Sequence, residues 1–145
     1  MKLSANFSLA ELTKSQTAER MGIDNTPTDD QVTSLMLVAQ KILQPVRDHY
    51  GIAFAPSSGF RSVELCEAIG SSAKSQHAKG EAADFEVPTI SNYELACWIR
   101  DNLDFDQLIL ECYKAGDPNS GWVHCSIKPD GNRKECLTYQ KGEGY

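Results

Sequence analysis

The feature that most constrains the fold is a loop that leads into an amphipathic strand. His77 lies in the loop and Asp84 in the strand. Residues 81–87 alternate in polarity, which predicts a strand whose apolar face carries Ala83, Phe85 and Val87. Asp84 then projects from the opposite, polar face. His77 precedes the strand by a loop in which Gly80 permits a tight turn without a Cβ penalty. One histidine and one aspartate are two possible zinc ligands, so the rest of the chain must supply a third.

The search for a third ligand is short because the chain contains three histidines. His49 lies near the carboxyl end of a predicted helix, where exposure to solvent or interaction with the helix dipole is the expected role. Residues 121–127 alternate like a second strand, with His124 on its polar face. If the two strands are neighbours, His77, Asp84 and His124 meet at one ion. This set of ligands suits zinc with a water in the fourth position, and it also occurs around iron.

The element pattern predicts an α+β fold in which helices pack on a small central antiparallel sheet. Helices are predicted first and short strands later along the chain. Strands are expected at residues 52–58, 81–87, 106–111 and 121–127, and helices after the N-cap candidates Ser8, Thr28, Ser62 and Ser91. Pro45 interrupts the apolar stripe of the second helix and predicts a kink or break there.

A chain of 145 residues fits one domain with a core that needs no disulfides. We expect a single domain over 1–145, with an amino-terminal helical segment at 1–27, a core at 28–127 and a tail at 128–145. The last five residues of the tail are expected to be loose. Five cysteines without a C-x-x-C pair favour buried free thiols over disulfides or a thiolate zinc site.

Charge and hydropathy exclude several classes of partner. The net charge of −6 argues against nucleic-acid binding and gives no support for attraction to an anionic membrane. No amino-terminal apolar run and no long apolar segment is present, so neither a signal peptide nor a membrane span is predicted. We therefore expect the protein to be cytoplasmic on synthesis. We also expect a monomer.

Two motifs carry a resemblance to a known family. The pattern S-x-H-x-x-G-x-A-x-D from Ser75 to Asp84, followed by W-V-H ending at His124, resembles the zinc D-alanyl-D-alanine carboxypeptidase family of peptidoglycan peptidases, which includes phage endolysins. The resemblance covers roughly residues 54–127. It implies the small α+β metallopeptidase fold of the carboxypeptidase and hedgehog type, with Zn²⁺ held by His77, Asp84 and His124.

The resemblance also suggests a residue that faces the substrate. The segment S-G-F-R, ending at Arg61, looks like the family's segment ahead of the first histidine. A guanidinium there could hold a terminal carboxylate or stabilise the oxyanion at the scissile carbonyl. A surface salt bridge is the alternative role for Arg61.

The general base has several candidates, because many family members carry an acidic residue three positions before the last histidine and this chain has Gly121 there. Glu111, at the end of a predicted strand, resembles the acid that branches with a W-V-H ending carry on the preceding strand. It is the expected base, able to take a proton from the attacking water and pass it to the leaving amine. The other candidates for this role are Asp117, Glu81 and Glu86.

The sequence thus predicts a zinc-dependent peptidase that hydrolyses peptidoglycan stem peptides or crosslinks, in the context of a phage or prophage endolysin acting on the wall after release. Two alternatives are a D-Ala-D-Ala carboxypeptidase or dipeptidase, and a non-catalytic wall-binding module on the same fold. Ser75 and Gln76 are expected to line the site, to orient His77, or to make ordinary loop hydrogen bonds. Trp122 is expected either to wall the cleft or to pack.

Overall fold

The computed structural model describes residues 1–140, in which helices and a four-stranded sheet form an α+β fold. The helices are α1 Leu9–Thr13, α2 Gln16–Met21, α3 Asp29–Val38, α4 Gln44–Tyr50, α5 Val63–Ala68 and α6 Asn92–Asn102. A π-helical turn, Ala39–Leu43, joins α3 to α4, and a 3₁₀ helix, Gln76–Lys79, precedes the sheet. The strands are β1 Ala82–Phe85, β2 Gln107–Tyr113, β3 Trp122–Ser126 and β4 Glu135–Gln140. The predicted α+β class is confirmed.

Local hydrogen bonds start the helices where the sequence predicts them. Ser8 and Thr28 each form a capping box, with Glu11 and Gln31 respectively. The side chains of Ser62 and Ser91 also accept a backbone N–H from the first turn of α5 and α6. Such bonds satisfy amide groups that a helix start leaves without partners, so the capping residue fixes the boundary.

Pro45 is accommodated by a widened turn. The N–H of Gln44 donates to the carbonyl of Ala39, five residues earlier, within the π-helical turn. A proline lacks an N–H and crowds the carbonyl four residues before it, so a wider turn relieves both defects. The predicted kink or break therefore takes the form of one π-helical turn between α3 and α4.

The sheet order is β1-β3-β2-β4. β1 and β2 each pair antiparallel with β3, as predicted, whereas β4, a strand that the sequence did not predict, pairs parallel with β2 and makes the sheet mixed. Ser126 at the end of β3 accepts a hydrogen bond from Asp106 at 2.7 Å, and Glu135 donates to the carbonyl of Asp106 at 3.0 Å. Residues 127–134 thus carry the chain from one side of the start of β2 to the other, and β4 then runs in the direction of β2.

Two strand predictions need correction. Residues 52–58 form no strand. They make a single bridge between Ser58 and Asp84, because Pro56 has no N–H for a ladder and the N–H of Phe60 donates instead to the carbonyl of Leu12 in helix α1 at 2.7 Å. Residues 128–145, predicted as a tail, contain β4, and the last five residues lie outside the described part of the chain.

The apolar core lies on one face of the sheet. Helix α3 and the π-helical turn contribute the buried residues Leu35, Val38, Ala39, Ile42 and Leu43. The sheet contributes Ala83, Phe85, Leu108, Leu110, Val123 and Cys125. Since side chains alternate along a strand, burial of these residues turns their sequence neighbours to the other face. That second face carries Asp84, His124 and Ile109, which lie side by side across three strands.

The crossing from β3 to β4 is held by the buried carboxylate of Asp106, which is 1% exposed. The backbone N–H and the Nε of Arg133 each donate to Oδ1 at 3.0 Å, and its Nη2 donates to Oδ2 at 2.7 Å. Gln76 donates to Oδ2 at 3.0 Å, and the ammonium of Lys128 lies 3.5 Å from Oδ1. The hydrogen bonds from Arg133 lower the pKa of Asp106 below its ordinary value, although burial opposes this effect.

Asp106→Asn is expected to lower the free energy of unfolding by about 2 kcal/mol at pH 7, because the variant loses the buried carboxylate that accepts the charge-assisted hydrogen bonds of Arg133. The folded-state pKa of Asp106 is depressed, so its contribution is present above the unfolded pKa, about 3.9, and is lost as the pH falls through the lower folded-state pKa. Urea denaturation at pH 7 and at pH 3 checks this. A difference between wild type and variant that does not shrink at pH 3 would contradict the assignment.

Candidate metal centre

The structure brings His77, Asp84 and His124 together, with one ligand atom from each lying within 4.8 Å of the others. Asp84 Oδ1 lies 3.2 Å from His77 Nε2 and 2.9 Å from His124 Nδ1. The two imidazole rings meet edge to face, with their centroids 5.0 Å apart. Both histidines are buried, so the three side chains form a compact group of donors below the surface.

Sheet register places two of these side chains side by side. Asp84 on β1 is the direct partner of His124 on β3, and both belong to the face opposite the apolar core. Directly opposed residues in an antiparallel pair have their Cβ atoms about 5 Å apart, close enough for both side chains to reach one point. The prediction that the two strands are neighbours is confirmed.

The 3₁₀ helix brings His77 to the same point. Its carboxyl end is capped by Gly80 at φ +73°, and a Cβ there would crowd the carbonyl oxygen of Gln31. Ser75 accepts a hydrogen bond from the backbone N–H of His77 at 3.2 Å and so caps the start of the 3₁₀ helix. The ring itself is fixed by a 2.7 Å contact between His77 Nδ1 and the carbonyl oxygen of Gly59.

The contact with Gly59 determines which nitrogen of His77 can bind an ion. A carbonyl oxygen only accepts, so Nδ1 carries a proton and donates to Gly59, and Nε2 is the ring nitrogen that faces Asp84. A backbone carbonyl that accepts from the other ring nitrogen is also what orients metal-binding histidines in proteins. The donor set therefore fits a zinc ion.

Asp84 is ionised in this environment. Burial raises its pKa, but the hydrogen bonds from His124 and His77 outweigh burial and hold the pKa well below its usual range. Metal binding requires deprotonated ligands, and a carboxylate with a lowered pKa meets that requirement at neutral pH.

A cleft of about 460 Å³ opens beside the three ligands. His77, His124, Arg61 and Glu111 all line it, so the expected base and the expected substrate-facing arginine share one cleft with two of the ligands. Glu111 is 1% exposed and lies on β2 opposite Trp122 of β3. Arg61 is half-buried, and its Nε atom is buried without a hydrogen-bond partner among residues 1–140.

The alternative bases differ in position. Glu81 also lines the cleft. Glu86 accepts a hydrogen bond from Asn92 at 2.9 Å and lines a different cavity. Asp117 lies in an exposed loop, where it accepts a hydrogen bond from the N–H of Asn119. Of the four candidate bases, Glu111 and Glu81 are therefore the two that line the cleft with His77 and His124.

Gly121 explains why this chain lacks an acid three positions before His124. Its φ is +69°, and a Cβ built there would overlap the carbonyl oxygen of Glu111. On the facing strand, Cys112 has a φ of +50° and the β2–β4 register shifts between Leu110 and Tyr113, as in a β-bulge. The glycine thus allows β3 to approach the segment that carries Glu111.

Sequence reasoning missed Asp106 and its partners. Asp106, Lys128 and Arg133 all line the cleft, and Gln76 joins this cluster to the helix that carries His77. A lone aspartate before an apolar run resembles an ordinary strand boundary. Its burial depends on partners 27 and 30 residues away, so no local pattern could have indicated it.

An α+β domain with a histidine–aspartate–histidine donor set, a cleft and an adjacent carboxylate has the features of a metal-dependent hydrolase. The family model described as Peptidase M15 matches residues 5–126, and the chain belongs to this family of zinc D-Ala-D-Ala carboxypeptidase-like peptidases. The resemblance inferred from the two motifs is confirmed. A comparison with curated proteins gives no match. Within residues 1–140, each helix is too short or too polar to cross a membrane.

Proposed function

We propose that the protein is a zinc-dependent peptidase that hydrolyses peptidoglycan stem peptides or crosslinks, in the role of a phage or prophage endolysin. The observation that carries the proposal is the convergence of His77, Asp84 and His124 beside a cleft that Glu111 lines. The peptidase family supports the reaction class. Four protein ligands rich in cysteine would indicate a structural zinc site, whereas three ligands beside an open cleft favour a catalytic one.

The three ligands would hold the ion together. His77 Nε2, one oxygen of Asp84 and His124 Nδ1 would hold the ion, with the carbonyl of Gly59 fixing the ring of His77. When bound, zinc supplies a Lewis acid that polarises the scissile carbonyl and lowers the pKa of the attacking water towards about 7.

The remaining steps belong to side chains of the cleft. Glu111 accepts a proton from the attacking water and returns it to the leaving amine, because a buried carboxylate in the cleft is placed for general base and then general acid catalysis. Arg61 donates to the oxyanion that develops at the scissile carbonyl, and its buried Nε is available for that bond.

Removal of the metal is expected to abolish wall hydrolysis. Dialysis against a chelator should stop the release of peptides from purified sacculi, and added zinc should restore the original rate. Circular dichroism of the apo-protein serves as a control for folding. Peptide release that continues at the original rate after metal analysis shows no bound ion would contradict the proposal.

The released fragments separate the proposed activity from the carboxypeptidase or dipeptidase alternative. Mass spectrometry of digested sacculi would show free D-Ala or D-Ala-D-Ala if the enzyme trims peptide ends. Cut stems or crosslinks would show an endopeptidase. Binding to sacculi with no released fragment, in the presence of stoichiometric zinc, would support the wall-binding module instead.

A further inference from the structure

Asn92, the first residue of α6, has a buried side chain that faces several acceptors at once. It is 2% exposed and lines a cavity other than the metal cleft. Its Nδ2 atom faces four oxygens, at 2.9 Å from Oε1 of Glu86 and from the carbonyl of Gly121, at 3.2 Å from the carbonyl of Asn119 and at 3.3 Å from that of Ser120. An amide nitrogen carries two protons, so the four acceptors share them.

The other end of the amide shows that this side chain serves as a donor. Oδ1 of Asn92 is buried without a hydrogen-bond partner among residues 1–140. If the amide were reversed, Oδ1 would face four acceptors with no proton between them, so the hydrogen-bond network fixes its orientation. A buried polar atom without a partner costs stability, and native structures keep few of them. The donation by Nδ2 is therefore what favours an asparagine at this position.

The acceptors belong to the segments that flank the metal ligands. Glu86 follows Asp84 by two residues, and Gly121 precedes His124 by three. The two ligands pair with each other between β1 and β3, and His124 also pairs with β2 on its other side. The sheet itself therefore holds the ligands, and Asn92 holds the chain just beyond them.

The proposed base lies where the sheet is less regular. Glu111 and Trp122 form the last pair between β2 and β3, and the register between β2 and β4 shifts along the same stretch of β2. A Cβ on Gly121 would overlap the carbonyl oxygen of Glu111, so the backbone of Gly121 lies directly against that carbonyl. The hydrogen bond from Asn92 to the carbonyl of Gly121 thus holds the segment against which the Glu111 backbone packs.

We infer that Asn92 is a positioning residue for general base catalysis, because it ties the start of β3 to α6 and so fixes the Glu111 carboxylate relative to the metal ligands. This inference rests on the proposed function, in which Glu111 is the base. Asn92 acts through Gly121 and the end of β2, from a cavity outside the metal cleft.

The test measures kcat, KM and the zinc dissociation constant of Asn92→Ala on a soluble stem peptide. The value of kcat is expected to fall about 10–100-fold, because a small displacement of a catalytic group is costly. KM and the zinc dissociation constant are expected to stay within about threefold of wild type, because the sheet holds the ligands independently. If Asn92→Ala does not fold, Asn92→Ser, whose hydroxyl retains one donor, takes its place with the same expected split.

A double variant shows whether Asn92 acts through Glu111. In the Glu111→Gln background, Asn92→Ala is expected to change kcat by no more than about twofold, because the base that it positions is already absent. A general weakening of the fold would instead lower the rate by the same factor in both backgrounds. A further large loss of rate in the double variant would therefore overturn the inference.

Two more variants separate the donor role from space filling and from helix stability. Asn92→Asp keeps the size of the side chain but places an oxygen before four oxygens, and its kcat is expected to be no higher than that of Asn92→Ala. Asn102→Ala removes an exposed asparagine of the same helix, which donates to the carbonyl of Trp98 at 2.9 Å, and it should keep the wild-type kcat. A wild-type kcat in Asn92→Asp or Asn92→Ala would contradict the positioning role.

Hydrogen exchange gives a readout that does not depend on turnover. Residues 111–122 are expected to exchange faster in Asn92→Ala than in wild type, while residues 82–85 keep their rate. Unchanged exchange over 111–122 would overturn the inference and leave zinc-dependent hydrolysis intact. A wild type that binds zinc but cleaves no wall peptide would refute the peptidase, whereas faster exchange in the variant would still support the link from Asn92 to the end of β2.

Discussion

Glu111→Gln is expected to slow peptide hydrolysis by at least about a hundredfold while the protein still binds one zinc ion, because general base catalysis contributes about 10²–10⁴ to such rates. Gln keeps the shape of the buried side chain but cannot accept a proton from water. The rate of peptide release from sacculi and the zinc content of the purified variant are the two measurements. Thermal unfolding shows whether the buried substitution has altered the fold.

The matched control is Glu81→Gln, because Glu81 is the other candidate base that lines the cleft. Its hydrolysis rate should stay within about threefold of wild type if Glu111 is the base. A fast Glu111→Gln enzyme with a slow Glu81→Gln enzyme would move the role to Glu81. Loss of zinc from Glu111→Gln would indicate that Glu111 takes part in metal binding instead.

Gly121→Asp would restore the acid that many family members carry three positions before the last histidine, yet it is expected to damage this protein. A Cβ at this position would overlap the carbonyl oxygen of Glu111, and the backbone has a φ of +69°. The clash would push β3 away from the segment that carries the proposed base. We expect a loss of about 4 kcal/mol in the free energy of unfolding and little remaining hydrolysis.

Gly131→Ala separates the cost of the steric clash from the cost of placing a side chain on left-handed backbone. Gly131 has the same φ of +69°, but a Cβ added there would meet no atom within 4 Å. It is expected to cost about 1 kcal/mol, the penalty of the left-handed backbone alone. Gly121→Ala should cost several times more in urea denaturation. Equal losses at the two positions, or an active and stable Gly121→Asp enzyme, would contradict the steric explanation.

Local chemistry made much of the fold predictable. Capping residues such as Ser8 and Thr28 act on backbone groups within one helical turn, so they could be identified without any tertiary information. The alternation around Asp84 and His124 likewise reports which face of a strand is buried. The prediction that the five cysteines are free is confirmed, although only Cys66 and Cys125 are fully buried.

The errors arose where long-range pairing outweighs local pattern. Residues 52–58 have the composition of a strand, but Pro56 and the hydrogen bond from Phe60 to helix α1 leave a single bridge to β1. β4 was missed because its parallel pairing depends on residues 127–134 crossing the start of β2. The stability of that crossing comes from the contacts of Arg133 with Asp106, which are distant in sequence.

The sequence by itself determined the chemistry: two histidines and an aspartate in motifs that indicate a zinc peptidase, with the strand faces from which Asp84 and His124 project. Only the tertiary structure decided that these three side chains meet, that Glu111 shares their cleft, and that Asp106 holds two cations beside it. The physical reason is the distance along the chain over which each interaction acts. Strand alternation and helix caps depend on neighbours a few residues apart, whereas register, burial and charge clustering depend on which distant segments the core brings into contact.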